Sequence, residues 1–314
     1  MSLKIYDPRD FPAYLPKLNN LYDDLFTGGK GFRSQLIKWV AGSLGSSDKI
    51  QNLLGQTIEF IHNASLLHDD LIDRSQLRRG KTAAWVKYTP EYAVLAGDYL
   101  LARVMVNLSG NGNIRLVQYT AEVISDLLEG EWLQDSLVGD MEVDLSQLDR
   151  VHNLKTASLF KWCLRAPFLA EERYEPGLHT ALEEMGTLLG QLFQRSDDLL
   201  DFDVRNDEGK NPLGDLKSGY LNSFGAFATR DLTAAQKREL KTCETLADFQ
   251  ARLGGAAVFE ARVKEFDQKN QFLIDLYRHQ MVLLKNHLKP GEEVLLERLE
   301  PLTEILYWRR KPKS

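Results

Sequence analysis

Apolar residues along this chain recur at intervals of three and four and almost never alternate. Leu54, Ile58, Ile61, Ala64, Leu67 and Leu71 form one such ladder, and the stretch from Leu182 to Leu200 reads the same way. That period places apolar side chains on one face of a helix, whereas a half-buried strand would show a period of two. Proline placement agrees. Pro8, Pro12 and Pro16 cluster at the start, and the intervals 17–89, 91–166 and 213–289 contain none. Those intervals are rich in Leu, Ala, Glu, Gln and Lys, which lose little side-chain freedom in a helix. Strand-like runs bounded by hairpin signals are missing. The pattern predicts an all-α fold: a single domain over residues 1–314, a large bundle of roughly ten or more helices. Short connections are expected near Gly28-Gly29, Gly110 to Gly112, Pro176-Gly177 and Gly209 to Gly219.

Two of these apolar segments end in acid. In Glu59 to Lys81, reading EFIHNASLLHDDLIDRSQLRRGK, Asp69, Asp70 and Asp73 fall within five residues. At helical spacing Asp69 and Asp73, and Asp70 and Asp73, share a face, and like charges so placed repel. A solvated face is the usual fate of a charge cluster, but Ile61, Leu66, Leu67, Leu71 and Ile72 leave little of this helix for water. Crowded carboxylates on a half-buried face suit Mg2+, which takes one or two of them together with phosphate oxygens and waters. The spacing D-D-x-x-D returns at Asp197, Asp198 and Asp201, again on a helix built from Leu and Phe. Facing each other across a bundle core, the two motifs would surround one cavity with carboxylates, an arrangement tolerable only with bound divalent cations.

Basic and small residues add to this picture. Gly28-Gly29-Lys30-Gly31-Phe32-Arg33 reads as a helix start whose free N–H groups, Lys30 and Arg33 suit an anion; two solvated cations on an ordinary glycine-rich start are the alternative. His62 lies two turns before Asp69 on nearly the same face, and His68 reads as a structural histidine. Lys155-Thr156 opens a further segment, and Lys210 lies in a Gly- and Pro-punctuated stretch expected to be a mobile loop. The chain ends in Trp308-Arg309-Arg310-Lys311-Pro312-Lys313-Ser314, a basic tail that is either solvated or folded over an anionic site.

Composition narrows the class. With 43% hydrophobic and 27% charged residues the chain can bury a substantial core and stay in solution. A formal net charge of −6 argues against nonspecific nucleic-acid binding. There is no signal-peptide-like start and no window approaching 18 apolar residues, so no transmembrane helix is expected. The two cysteines, Cys163 and Cys243, lack CxxC spacing and read as lone buried thiols. The expected location is cytoplasmic.

Five motifs in order resemble the trans-isoprenyl diphosphate synthase (polyprenyl synthetase) family over nearly the whole chain. They are GGKGFR (28–33), HDDLIDRSQLRRGK (68–81), KTASLF (155–160), FQRSDDLLD (193–201) and GKNPLGDL (209–216). The resemblance implies an all-α bundle around a deep cavity, usually a homodimer, catalysing Mg2+-dependent prenyl transfer. It implies that Asp69, Asp70 and Asp73, with Asp197, Asp198 and Asp201, hold about three Mg2+ ions on an allylic diphosphate. Arg78, Lys155 and Lys210 would contact that diphosphate. Lys30, Arg33, His62 and Arg79 would bind isopentenyl diphosphate, and Thr156 and Gln194 would face the reacting carbons. One departure stands out: the family usually continues its last motif with Gly-Lys, where this chain has Gly219-Tyr220. A phenol can hydrogen-bond a phosphate but carries no charge at neutral pH. Lys217, or Arg309, Arg310 and Lys311 of the tail, would then supply the charge.

In the family, residues four and five places before the first aspartate floor the product cavity. Ala64 and Ser65 are small, which implies a product longer than fifteen carbons, thirty to forty favoured and twenty the lower alternative. Tyr99, Met105 and Trp132 are candidates for a deeper floor. The product, a long apolar chain, implies transient membrane contact on release. Two other readings stand beside this one: a non-catalytic or weakly active subunit of a heteromeric synthase, and a His-Asp metal phosphohydrolase using His62, His68 and Asp69.

Overall fold

The computed structural model describes residues 5–26, 31–78, 80–203 and 212–308, without the side chains of Asp23 and Asp24. Its secondary structure is almost wholly α-helical. Contacts divide the chain into two compact units.

The first unit comprises Met1–Ile124, Trp162–His179 and Lys289–Leu295. It holds α1 (Pro16–Phe26), α2 (Phe32–Ser43), α3 (Asp48–Ile72), α4 (Ala84–Lys87) and α5 (Pro90–Ser109), with a hairpin of β1 (Leu77–Arg78) and β2 (Lys81–Thr82) after α3. The apolar ladder read from the sequence is the buried stripe of α3: Leu54, Ile58, Ile61 and Ala64 are fully buried and Leu67 nearly so. Ser47 caps the start of α3, accepting a hydrogen bond from Ile50 N, and Thr89 caps α5 with Pro90 at its first position. Gly97 on α5 leaves room for the His68 ring, since a Cβ there would lie 2.3 Å from His68 Nε2. The hairpin is a small addition to the all-α fold that the sequence predicts. It pairs Leu77 with Thr82 and Arg78 with Lys81, two residues a side, too short to leave a period in the sequence.

The second unit comprises Ser125–Lys161, Thr180–Leu288 and Leu296–Ser314. The helices α6 (Ile114–Ser136), α7 (Leu145–Lys155), α8 (Ala157–Ala170) and α9 (Pro176–Leu200) are followed by the short α10 (Gly214–Lys217), α11 (Ser223–Ala228), α12 (Ala234–Glu239) and α13 (Leu246–Arg252). The chain then runs through the 30-residue α14 (Ala256–Lys285), α15 (Val294–Leu299) and α16 (Leu302–Tyr307). Phe202, Phe224, Phe249, Phe259 and Phe266 form its aromatic core. The helix α8 runs through Pro167. A turn of helix, α10, forms inside the stretch expected to be a loop.

Candidate active site

Both aspartate motifs sit where a helix least favours negative charge. Asp69 and Asp70 lie in the last turn of α3, and Asp73 is its C-cap. Asp197 and Asp198 lie in the last turn of α9, with Asp201 just beyond. Neither last turn contains a basic residue. A helix C-terminus carries about half a negative charge, so each carboxylate there is disfavoured by roughly 0.3–1 kcal/mol before mutual repulsion is counted. A cation relieves both costs.

The first motif divides its labour by helical face. Asp69 is half-buried and Asp73 exposed, one turn apart, while Asp70 turns inward and is 5% exposed. Arg78 pairs with Asp70, donating to Oδ1 from Nε at 2.8 Å and also from Nη2. The hairpin that presents Arg78 is pinned by Trp85 Nε1, which donates to Ser75 O at 2.8 Å. So one charge in the crowded turn is already paired with a protein cation.

Seven residues below Asp69, the α3 face meets α2. Arg33 Nη1 lies 3.3 Å from His62 Nε2, so two of the predicted isopentenyl diphosphate ligands are neighbours. Gly31 caps the start of α2 at φ 55°, a left-handed conformation that β-carbons resist. Cys163 anchors this turn: its thiol, fully buried, reaches Arg33 O at 3.7 Å. His68 packs over Gly97 near Val94 O and Asp98, a structural role. Ala64 is fully buried, whereas Ser65 is half-buried and turns its hydroxyl back to His62 O at 2.9 Å. Lys30, Arg79 and Lys210 lie outside the described residues, as do Gly28, Gly29, Arg309, Arg310 and Lys311.

In the second unit a polar chain links the predicted residues. Thr156 Oγ1 donates to Gln194 Oε1 at 2.9 Å, and Gln194 Nε2 donates to Asp198 Oδ1 at 2.9 Å. The other oxygen of Asp198 accepts from Ser223 N at 2.9 Å and Ser223 Oγ at 2.5 Å, fixing the start of α11. Burial pushes the Asp198 carboxyl up to about 6, opposed by the Ser223 and Gln194 hydrogen bonds. His152 Nε2 lies 3.6 Å from Asp198 Oδ2; burial drives this imidazole down to about 4, so it is a neutral neighbour rather than an ion-pair partner. Asp201 Oδ1 accepts from Gly214 N at 2.8 Å and thereby ties α10 to the end of α9. Asp198 and Asp201 are both buried, and half-buried Asp197 is the member of this motif that faces outward.

The sequence reading missed Glu131, which forms an ion pair with Lys155. The signal was present: Glu131 continues the buried ladder Tyr119, Val123, Leu127 along α6, at a position the pattern reserves for an apolar side chain. Trp132, proposed as a cavity floor, is 82% exposed and lines an open cleft with Leu128, Leu133 and Leu154. Tyr99 is half-buried and donates its hydroxyl to Asp10 O at 3.0 Å, and Met105 is half-buried.

Among the described residues no group of three or more His, Cys, Asp or Glu side chains converges tightly enough to hold a metal ion alone. Mg2+ dehydrates reluctantly and binds through one or two carboxylates plus the oxygens of a phosphate substrate. Hard oxygen donors at two helix C-termini suit such an ion arriving with a diphosphate.

Comparison with known proteins agrees with this chemistry. The polyprenyl synthetase family model matches residues 15–253. Octaprenyl diphosphate synthase of Escherichia coli is 33% identical over 193 residues, covering 61% of this chain and 59% of that protein's length. A decaprenyl diphosphate synthase from Rhodobacter capsulatus has a similar solved structure, with TM-score 0.83 and 26% identity over 96% of this chain and 92% of that one. A polyprenyl synthase from Caulobacter crescentus, solved with calcium and isoprenyl diphosphate, superposes with TM-score 0.76 and 26% identity, covering 96% and 90% of the two chains.

Proposed function

Because this chain belongs to the polyprenyl synthetase family, we propose that it elongates an all-trans allylic diphosphate with isopentenyl diphosphate and releases pyrophosphate. The observation that carries this reading is the pair of aspartate motifs at the C-terminal ends of two 25-residue helices. In the reaction the allylic C–O bond breaks, C4 of isopentenyl diphosphate bonds to C1 of the allylic cation, and the proton lost from C2 leaves with the pyrophosphate. Most of the barrier is negative charge growing on the leaving group. Mg2+, bound with the diphosphate, would supply Lewis-acid stabilisation of that charge. Asp69, Asp73 and Asp197 would hold it, with Asp70 aiming Arg78 and Asp198 ordering Gln194 and the start of α11. Arg78 and Lys155 would contact the departing diphosphate, and Arg33 and His62 that of the five-carbon acceptor. Thr156 and Gln194 would steady the cation face from which water must be kept away.

The product is proposed to have thirty to forty carbons. Ala64, buried, and half-buried Ser65 are both small, and one helical turn advances ~5.4 Å, close to one isoprene unit. Ser65→Phe is therefore expected to shorten the product to twenty carbons or fewer, as measured by reverse-phase chromatography of the dephosphorylated chains. Unchanged length would place the floor elsewhere.

Incubation with farnesyl diphosphate, isopentenyl diphosphate and Mg2+ tests the central reading. Release of pyrophosphate with a longer lipid is the expected result, abolished by EDTA and restored by excess Mg2+. Absence of extension would overturn it. Release of inorganic phosphate would favour the phosphohydrolase reading, for which His62 and His68 are poorly placed, being turned to Arg33 and to α5. A homodimer in the cytoplasm is the proposed state, and no helix among the described residues is long and apolar enough to cross a membrane. Exposed Leu128 and Trp132 on α6 support self-association.

A further inference from the structure

A glutamate is rarely buried unless it is paired, and Glu131 is 7% exposed. Its neighbour explains how the pairing arises. At Gly130 a Cβ would lie 2.8 Å from Lys155 N and 3.0 Å from Leu154 Cβ. No side chain fits there, so α6 meets the end of α7 backbone to backbone, and the next residue, Glu131, reaches the Lys155 ammonium. The two side chains are 10% and 21% exposed. An ammonium has three protons to donate, so Lys155 can stay on Glu131 and still present a donor to a phosphate. The residue after it, Thr156, begins the hydrogen-bonded chain through Gln194 to Asp198. Tyr220 shares these surroundings: burial raises its hydroxyl far above the usual phenol range, and the carboxylates of Asp198, Asp215 and Glu131 add to the shift. It is a neutral donor where similar proteins carry an ammonium, which leaves more of the charge at this point to Lys155.

We infer that Glu131 is a positioning residue for prenyl transfer, its carboxylate holding the Lys155 ammonium in the orientation that receives the allylic diphosphate. The inference rests on the prenyl-transfer reading above. It also makes a prediction opposite in sign to simple charge counting. Removing a carboxylate beside a lysine adds net positive charge and by itself would tighten anion binding, whereas loss of orientation weakens it.

Glu131→Gln, nearly isosteric, separates the two. The expected result is a kcat lower by roughly tenfold to a hundredfold, with KM for isopentenyl diphosphate unchanged. Titration calorimetry should show weaker binding of pyrophosphate in Mg2+. On a Lys155→Met background the same change should cost nothing further, because Glu131 acts through Lys155. Tighter pyrophosphate binding with undiminished kcat would overturn the inference. So would an equal loss on the Lys155→Met background, which would mark Glu131 as structural. Glu131→Asp, which keeps the charge on a shorter arm, serves if the glutamine variant fails to fold: a reduced kcat supports positioning and a wild-type kcat refutes it. A wild-type protein that bound Mg2+-pyrophosphate yet transferred no prenyl group would sink the prenyl-transfer reading, while the binding comparison would still decide the role of Glu131.

Discussion

Asp69→Asn is expected to lower the kcat of prenyl transfer by about a thousandfold while changing stability by no more than about 1 kcal/mol. The asymmetry follows from its place. Asp69 lies half-buried in the last turn of α3, where the helix dipole opposes its charge, so folding gains little from it. Leaving-group stabilisation, in contrast, depends on that charge. Asp198→Asn should show the converse balance. Oδ1 accepts from Gln194 Nε2 and Oδ2 from Ser223 N and Oγ. Whichever way an asparagine amide turned, its NH2 would confront one set of donors, at a cost of about 2–3 kcal/mol. Urea unfolding and steady-state kinetics on both variants check the pair. Asp69→Asn retaining more than a tenth of wild-type kcat would remove it from the metal site.

Gly190→Ala is expected to destabilise the protein by about 3 kcal/mol or more and to depress activity with it. A Cβ at Gly190 would lie 2.3 Å from Ala157 Cα and 2.8 Å from Ala157 N, and one at Gly186 would lie 2.5 Å from Lys161 Cα. The obstacles are backbone atoms, so no rotamer change relieves them and the helices α8 and α9 must separate. Four residues beyond Gly190 lies Gln194, whose 2.9 Å hydrogen bond from Thr156 spans the same helix pair. Separation would pull that bond apart and loosen the chain that orders Asp198. Thermal unfolding and kcat should therefore fall together. A variant with wild-type stability would show that the crossing has slack the structure does not suggest.

Much of this protein is legible in one dimension. The three-and-four ladder of α3 fixed both its existence and its buried stripe, because helical periodicity is a local property. The resemblance grouped Arg33 and His62 as ligands of one diphosphate, and the two side chains are neighbours. Sequence could also count the aspartates, since crowded carboxylates on apolar helices are conspicuous. It treated the three members of each motif alike, however, because the sequence does not show which side of a helix is covered. Only packing made Asp70 the partner of Arg78 and Asp198 the anchor of Ser223, with Asp69 and Asp197 half-buried and Asp73 exposed.

Glu131 marks the same boundary from the other side. Its intrusion into an apolar ladder was visible, but its partner is far away in sequence and adjoins it only because Gly130 lets two backbones touch. The two-residue hairpin carrying Arg78 likewise depends on tertiary anchoring by Trp85 rather than on strand propensity. The sequence by itself determined the helices and the acidic helix ends, because these rest on local spacing and residue type, and the diphosphate chemistry followed from the family its motifs resemble. The tertiary structure decided which carboxylates are committed to the fold and which lysine is held by which acid, because those follow from burial and from contacts between distant segments.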